Sequence, residues 1–252
     1  ETVRAASLTK KGEFKLVRMA QGKREEFTPD VLGIMESKLS RNREGLKKYT
    51  QAKKNGAECE IFDANTVNGI PGFLMACKDI DIVITSPPYG DSRTTVAYGQ
   101  FSRLANQWLG IEDANQVDKI AMGGQKAKGY VKFGVGELDK AIGRIMREDE
   151  KRALDVVSFY EDYRESVRNA AKVVRRKGIA AYVVGNRRVK GIELPTDAAT
   201  RRFFEGSGYN HLKTIIRSIP NKRMPSRNSP TNESGVTGVT MHNEYIVVMQ
   251  KN

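Results

Sequence analysis

The tetrapeptide Ser86-Pro87-Pro88-Tyr89 combines residue types that could hold and orient a planar amino group. It directly follows the apolar run Asp81-Ile82-Val83-Ile84-Thr85, which predicts a buried parallel strand. Pro87 has a fixed φ and no backbone N–H, so it ends the strand and leaves the last carbonyl groups without sheet partners. Tyr89 adds a flat ring beside these rigid acceptors. Such a site could hold an amino group and turn its lone pair outward.

The charge of the chain indicates the class of partner. The sequence has 43 lysines and arginines against 30 acidic residues, a formal net charge of +13. A positive field of this size favours a polyanion, through phosphate contacts and counterion release. A basic, solvated surface would give the same count. Together with the tetrapeptide, the charge favours nucleic acid over a small molecule or a protein as substrate.

The bulk composition excludes several other classes. A chain of 252 residues can bury a full core, and we expect one α/β domain over residues 1–252. No apolar stretch approaches the roughly 18 residues that span a bilayer, and no secretory signal is visible, so we expect no membrane contact. Cys59 and Cys77 are isolated and predict reduced thiols in a cytoplasmic protein. The two histidines argue against a histidine-rich metal site, and we expect no metal.

Strands and helices alternate along the chain, which predicts a doubly wound α/β sheet with ligands at the carboxyl ends of its strands. We expect residues 1–28 to form an N-terminal extension and residues 90–136 and 219–240 to form substrate loops. The predicted strands cover 13–19, 57–64, 81–86, 179–186, 212–216 and 245–249. The predicted helices run from Thr28-Pro29 to Asn55-Gly56, over 67–77, over 137–177 with Gly178 as the stop, and over 196–207.

Thr85-Ser86-Pro87-Pro88-Tyr89 resembles the catalytic motif of the S-adenosylmethionine-dependent DNA amino-methyltransferases, which methylate N4 of cytosine or N6 of adenine. The Ser-Pro-Pro-Tyr form is commoner among the cytosine-N4 enzymes, and Asp-Pro-Pro-Tyr among the adenine enzymes. The order of segments from 57 to 249 matches the family's third, fourth and later motifs. The resemblance implies a Rossmann-like methyltransferase fold with an antiparallel C-terminal strand pair, S-adenosylmethionine as cofactor, DNA as partner and a place in restriction-modification. It favours N4-cytosine and leaves N6-adenine possible.

The resemblance also assigns roles to single residues. The Ser86 hydroxyl and the Pro87 carbonyl would accept hydrogen bonds from the target amine on the rigid Pro87-Pro88 turn, and Tyr89 would stack on the flipped base. Thr85 and Ser86 would also border the cofactor, and Asp63 would contact its adenine. Asn186 would line the base pocket. Asp63 could instead be a turn residue capping the next helix, and Gly185-Asn186 only the turn after a strand.

Two loops are candidates for DNA contact. The first follows the catalytic turn and contains Arg93 and Tyr98. The second, 221–232, contains Lys222, Arg223, Arg227 and Asn228. Arginine with asparagine can read guanine and adenine edges, while lysine and serine serve phosphates. A solvated loop would have a similar composition.

One part of the family's cofactor site is absent from the sequence. The family places a Phe-x-Gly-x-Gly loop after its first strand, whereas Phe133-Gly134-Val135-Gly136 has the wrong spacing and follows no strand. The chain therefore looks like the later two-thirds of the domain, with the first strands missing. We favour a small second subunit that carries the glycine-rich loop; the chain could instead be a fragment or a degenerate homologue. An RNA amino-methyltransferase and a non-catalytic nucleic-acid-binding subunit remain alternative functions.

Overall fold

A computed structural model of the chain describes residues 1–11, 15–53, 56, 58–77, 79–92, 95, 97–219, 227–228, 238–239 and 241–252. Its helices are α1 (Thr2–Ala6), α2 (Gln21–Glu25), α3 (Val31–Ala52), α4 (Gly72–Cys77), α5 (Tyr98–Trp108), α6 (Val117–Ile120), α7 (Gly136–Glu148), α8 (Glu150–Val173) and α9 (Thr196–Glu205), with a 3-10 turn at Glu112–Asn115. Its strands are β1 (Ile80–Thr85), β2 (Val174–Val184), β3 (Arg188–Val189), β4 (Ile192–Glu193), β5 (Tyr209–Ser218), β6 (Arg227–Asn228), β7 (Gly238–Val239) and β8 (Asn243–Lys251).

The contacts divide the chain into two compact units. The first comprises Glu1–Phe62 and Ala97–Asp118, and the second comprises Asp63–Val96 and Lys119–Asn252. In the first unit the predicted long helix is confirmed as α3. It starts two residues later than expected, because the carboxylate of Asp30 caps it by accepting the Gly33 N–H at 2.9 Å. No residue of α3 is buried.

The second unit contains a four-stranded sheet in the order β1-β2-β8-β5. β1 runs parallel to β2, and β8 is antiparallel to both of its neighbours. The predicted α/β class and the antiparallel pairing of the last two long strands are therefore confirmed.

One face of this sheet forms the core. Tyr182 of β2 and Val247 of β8 are register partners on this face and are both buried. The Tyr182 ring packs edge-on against Phe204 of α9, with centroids 4.9 Å apart. Two fully buried tyrosines of α8 keep their hydroxyls paired, Tyr160 with Thr196 at 2.8 Å and Tyr163 with Thr200 at 2.6 Å. Paired phenols can lie in an apolar core without the penalty of an unsatisfied polar group.

The opposite face of the sheet is open. The strand register places Ile82, Ile84 and Ile215 on this side, where they are 49%, 70% and 44% exposed. Among the described residues, β1 pairs only with β2, so its other edge has no strand partner. An unpaired edge beside exposed isoleucines is a surface that proteins normally cover.

The predicted strand at 57–64 is wrong. Residues 58–65 have no regular structure and are exposed, with Ile61 93% exposed. Alternation of apolar and polar residues produces a strand only where a neighbouring strand supplies hydrogen-bond partners. The described residues hold no strand on that side of β1. The open edge of the described sheet therefore belongs to β1.

The predicted helix through Lys177 is also wrong at its end. α8 stops at Val173, and the basic run Arg175-Arg176-Lys177 begins β2. Lys177 has φ of 64°, and the β1–β2 register shifts between Ile80 and Ile82, which marks a bulge. Arg175 pairs with Asp81 on β1. Arg175 thus forms an ion pair with the neighbouring strand and does not belong to the last turn of a helix. Asp149 further divides the predicted helix into α7 and α8.

Two predictions for the N-terminal half also need correction. The expected long loop at 90–136 contains α5, the 3-10 turn and α6. The carboxylate of Asp118 accepts the Gly99 N–H at 2.6 Å and the Gln100 N–H at 2.9 Å, so a distant residue caps α5. Of the strand predicted at 13–19, residues 13 and 14 lie outside the described residues. The described remainder holds only an isolated bridge between Thr9 and Arg18.

Candidate active site

The turn after β1 has the geometry that the sequence predicts. Thr85 ends β1 and pairs with Tyr182 of β2. Ser86 is exposed, whereas Pro87, Pro88 and Tyr89 are half-buried. The two prolines therefore stop the strand and leave the serine side chain open to an incoming group, with the tyrosine ring held beside it.

Tyr89 is anchored by its hydroxyl. Its Oη donates a hydrogen bond to Oε1 of Glu244 at 2.8 Å and lies 3.2 Å from Oγ of Ser86. Burial raises the pKa of Tyr89, which keeps the phenol protonated.

Glu244 is in turn held by Arg217, whose Nε donates to Oε2 at 3.0 Å. Burial alone would raise the pKa of Glu244, but the hydrogen bonds from Arg217 and Tyr89 outweigh it and lower that pKa. The carboxylate beside Tyr89 is therefore charged at neutral pH.

The loop after β2 packs directly against this turn. A Cβ on Gly185 would lie 2.9 Å from Cδ2 of Tyr89 and would collide with the sulfur of Met241. A Cβ on Gly90 would lie 2.6 Å from the guanidinium carbon of Arg187. An added Cβ would have to displace Met241 and the Tyr89 ring at Gly185, and the Arg187 guanidinium at Gly90. The carboxyl ends of the parallel strands β1 and β2 thus form one site.

A buried cluster of charged side chains holds the residues that follow the turn. The side chain of Asp91 is fully buried, and its Oδ2 lies 3.2 Å from Nη1 of Arg152 and 3.3 Å from Nη1 of Arg187. Thr95 donates to the same oxygen at 3.0 Å. Burial lowers the pKa of Arg187, and the charge of Asp91 opposes that shift. The cluster fixes the chain two residues beyond Tyr89.

Asn186 lies at the same edge of the sheet, but its amide is engaged. Its Nδ2 donates to Oδ1 of Asp197 at 2.8 Å, and its Oδ1 accepts the Asp197 N–H at 3.2 Å. Asn186 thereby ties the loop after β2 to the first turn of α9. It also borders a pocket of about 140 Å³ that Met241 and Tyr245 help to line.

The remaining predicted site residues are Asp63, Arg93, Tyr98, Lys222, Arg223, Arg227 and Asn228. Asp63 is exposed and ends no strand, so the strand-end position expected for a cofactor contact is not found. Tyr98 begins α5 and belongs to the first unit. Arg93, Lys222 and Arg223 lie outside the described residues, while Arg227 and Asn228 form β6, of which only the backbone is described.

The described residues offer neither a metal cluster nor a membrane-spanning helix. They contain no group of three or more histidine, cysteine, aspartate or glutamate side chains that could hold a metal ion. Within the same part of the chain, no helix combines the length and the apolar character needed to cross a membrane.

Sequence reasoning missed Glu244, Arg217, Asp91 and Arg187. Glu244 lies 155 residues from Tyr89, and only the position of β8 in the sheet brings the two together. Asp91 carried a weak signal, since an acidic residue directly follows the Pro-Pro-Tyr-Gly turn. Nothing in the sequence showed that its carboxylate would be buried between two arginines.

Comparison with known proteins finds a relative described as a type II methyltransferase. No protein-family model matches it. The type II methyltransferase M.MvaI of Kocuria varians is 41% identical over 264 aligned residues, covering 99% of this chain and 58% of that protein. The chain thus spans less than two thirds of the length of this relative.

Similar solved structures are more distant. A putative DNA modification methylase of Thermus thermophilus is 16% identical, with a TM-score of 0.33 over 73% of this chain and 50% of that chain. Its complex with S-adenosyl-L-methionine gives a TM-score of 0.35, again at 16% identity, over 73% of this chain and 51% of that chain.

Proposed function

We propose that this chain is the larger part of a DNA methyltransferase that acts on the exocyclic amine of a flipped base. The observation that carries the proposal is the exposed Ser86 beside the anchored ring of Tyr89, at the carboxyl end of β1. The 41% identity to a type II methyltransferase, which extends over 99% of the chain, supports the same assignment. Such an enzyme would act in the cytoplasm as part of a restriction-modification system.

The chemistry requires positioning and no covalent enzyme intermediate. S-adenosylmethionine supplies an electrophilic methyl group when it is bound. The Ser86 hydroxyl and the Pro87 carbonyl accept hydrogen bonds from the amine, which aligns its nitrogen for in-line attack. Tyr89 stacks on the base and offsets part of the few kcal/mol that base flipping costs. The serine in the motif favours N4 of cytosine over N6 of adenine.

Transfer of tritium from labelled cofactor tests the assignment. Once a partner completes the cofactor site, we expect incorporation into duplex DNA, and nucleoside analysis of the product should give N4-methylcytosine. N6-methyladenine would correct the target base, and transfer to RNA alone would favour an RNA amino-methyltransferase. The absence of transfer to either nucleic acid, with the cofactor site complete, would leave a non-catalytic binding subunit.

Variants of the tetrapeptide test which residues act. Tyr89→Ala removes a stacking surface worth roughly 1–3 kcal/mol per base, so activity should collapse. Ser86→Ala should reduce kcat more than DNA affinity, because it removes an acceptor of the amine and leaves the ring. Wild-type transfer rates in both variants would place the active site elsewhere.

We further propose that a second polypeptide supplies the glycine-rich cofactor loop. The residues of this chain provide the amine-binding side of the site, and Asp63 does not occupy the strand end expected of a cofactor contact. The open edge of β1 and the exposed Ile82 and Ile84 beside it offer a surface on which added strands could pair. The partner is then a small subunit whose strands extend the sheet from β1.

Calorimetry of S-adenosylmethionine binding tests whether a second polypeptide completes the cofactor site. The isolated chain should bind S-adenosylmethionine with millimolar affinity at best, about 4 kcal/mol. A partner that supplies the strands and the loop should restore binding and raise the Tm together. Ile84→Lys should block the partner, whereas Ile216→Lys should not, because Ile216 is 64% exposed on the opposite side of the sheet. Micromolar binding by the isolated chain would contradict the proposal.

A further inference from the structure

Beyond the tetrapeptide, the geometry points to a role for Glu244. We infer that Glu244 is a positioning residue that fixes the direction of the hydrogen bonds at the turn, so that Ser86 presents lone pairs rather than its proton to the target amine. The inference rests on the proposed function, because it concerns the group that accepts the amine hydrogen. It assigns a part in the reaction to a residue on the last strand of the sheet, far from the tetrapeptide in sequence.

The chain of hydrogen bonds starts from the ionised carboxylate of Glu244. An ionised carboxylate accepts hydrogen bonds and cannot donate them. Glu244 has a side chain only 13% exposed and pairs with Arg217, its register partner on β5. Arg217 engages Oε2, which leaves Oε1 to Tyr89. The carboxylate is therefore fixed on both oxygens, and its Oε1 requires a donor.

The hydrogen bond from Tyr89 to Glu244 determines the direction of the next hydrogen bond, between Ser86 and Tyr89. Tyr89 has one hydroxyl proton, and it is committed to Glu244 at 2.8 Å. In the 3.2 Å contact between Tyr89 and Ser86 the tyrosine oxygen can then only accept, so Ser86 must donate. The single proton of Ser86 thus points toward Tyr89. The remaining lone pairs of Oγ are on an exposed side chain and are free to accept.

This direction matters for methyl transfer to an amine. A serine that accepts an amine N–H holds the nitrogen while its lone pair stays available for attack. A serine that donates would compete for that lone pair and oppose the reaction. A chain of hydrogen bonds that ends on a charged carboxylate excludes the second arrangement. Glu244 does not need to touch the substrate to have this effect.

Glu244→Gln is the variant that tests the role, because glutamine has the same shape but can also donate. We expect kcat for DNA methylation to fall about tenfold, the effect of one lost charged hydrogen bond, with KM for DNA within about twofold. Tyr89→Phe, which keeps the ring, should lower kcat to a similar extent. The double variant should be no slower than either single variant, because both break the same chain. Glu205→Gln, which breaks a surface pair with Arg201, is the matched control.

A second readout does not depend on activity. Glu244 raises the pKa of Tyr89 by its hydrogen bond and its charge, in addition to the larger effect of burial. The Tyr89 pKa can be measured by NMR in protein labelled with ¹³C at the tyrosine ζ carbons. Glu244→Gln should lower this pKa, and Glu205→Gln should leave it unchanged. Tyr89→Phe identifies the resonance among the nine tyrosines.

The kinetic measurement and the Tyr89 titration test different parts of the inference. An unchanged Tyr89 titration in Glu244→Gln would overturn the hydrogen-bond chain, whatever the enzyme does. A shifted titration with unchanged kcat would overturn the positioning role. If the wild-type protein, with its cofactor site completed by the partner, methylates neither DNA nor RNA, the proposed function fails and the positioning role fails with it. The titration would still decide whether the hydrogen-bond chain exists.

Discussion

Gly185, directly after β2, lies against both Met241 and the ring of Tyr89. Replacing it with alanine would push a methyl group into Met241 and against the ring of Tyr89. We expect the free energy of unfolding to fall by about 1–3 kcal/mol, as for other overpacked sites, and methyl transfer to fall with it because the ring moves. Urea denaturation and the transfer assay measure both effects. Gly143→Ala, in the middle of α7 with open space around its Cβ, should instead stabilise by about 0.5–1 kcal/mol.

Among the charged side chains of the second unit, we expect Asp91 to be the one whose neutralisation lowers the unfolding free energy most. Asp91→Asn leaves Arg187, which is 8% exposed, without its buried counter-charge. Breaking a buried pair in this way costs about 3–5 kcal/mol of unfolding free energy. Asp81→Asn is the comparison: its partner Arg175 and its own side chain are 47% and 73% exposed, so the loss should stay below about 1 kcal/mol. Equal losses in the two variants would mean that the Asp91 cluster is open to solvent.

At the scale of elements, α5 depends on a cap from outside its own sequence. Asp118 satisfies two N–H groups in the first turn of α5, which no local residue does, since Ala97 precedes the helix. Asp118→Ala should lower the unfolding free energy by about 1 kcal/mol and reduce helicity measured by circular dichroism. Asp113→Ala, at an exposed position in the nearby 3-10 turn, should change neither. Helicity that stays constant in Asp118→Ala would show that α5 needs no cap.

The sequence predicted elements wherever local pattern and tertiary context agree. β1 is predicted because an apolar run ends at a proline pair, and α9 and β8 are predicted for similar local reasons. α5 is not predicted, although Tyr98, Phe101, Leu104 and Trp108 recur in it at helical spacing. Its cap comes from the distant Asp118, so no local N-cap residue marks its start. The segment 58–65 alternates like a strand but has no neighbouring strand to pair with. A pattern in a single segment cannot reveal whether its partner exists.

The same limit applies to the candidate site. The tetrapeptide was predicted because its chemistry is contiguous in sequence. Glu244, Arg217 and Arg187 were not, because they reach the turn only through the strand order of the sheet. Local sequence therefore identified the groups proposed to act on the substrate, whereas the groups that hold them required the fold.

At the scale of the whole molecule, the net charge of +13 predicts how DNA binding responds to salt. Affinity should fall steeply as salt rises, with a log–log slope of about −0.9 per phosphate contact. Replacing Lys222, Arg223 and Arg227 with alanine should flatten that slope by up to about 2.7, if each contacts one phosphate. A variant lacking Arg168, Arg201 and Arg202 loses the same charge from residues paired with acidic neighbours, and its slope should change less. Equal slopes for the two triple variants would place the DNA surface elsewhere.

The strand order also determines when the sheet can be completed during synthesis of the chain. β8 lies between β2 and β5, although both precede it in the chain, and β2 and β5 do not pair with each other. During synthesis on the ribosome, the earlier strands must wait with unsatisfied edges until β8 emerges and inserts between them. Glu244 arrives with that strand, so Tyr89 gains its anchor only at the end of this process. A nascent chain would therefore carry the whole tetrapeptide for many residues of translation before its turn is organised.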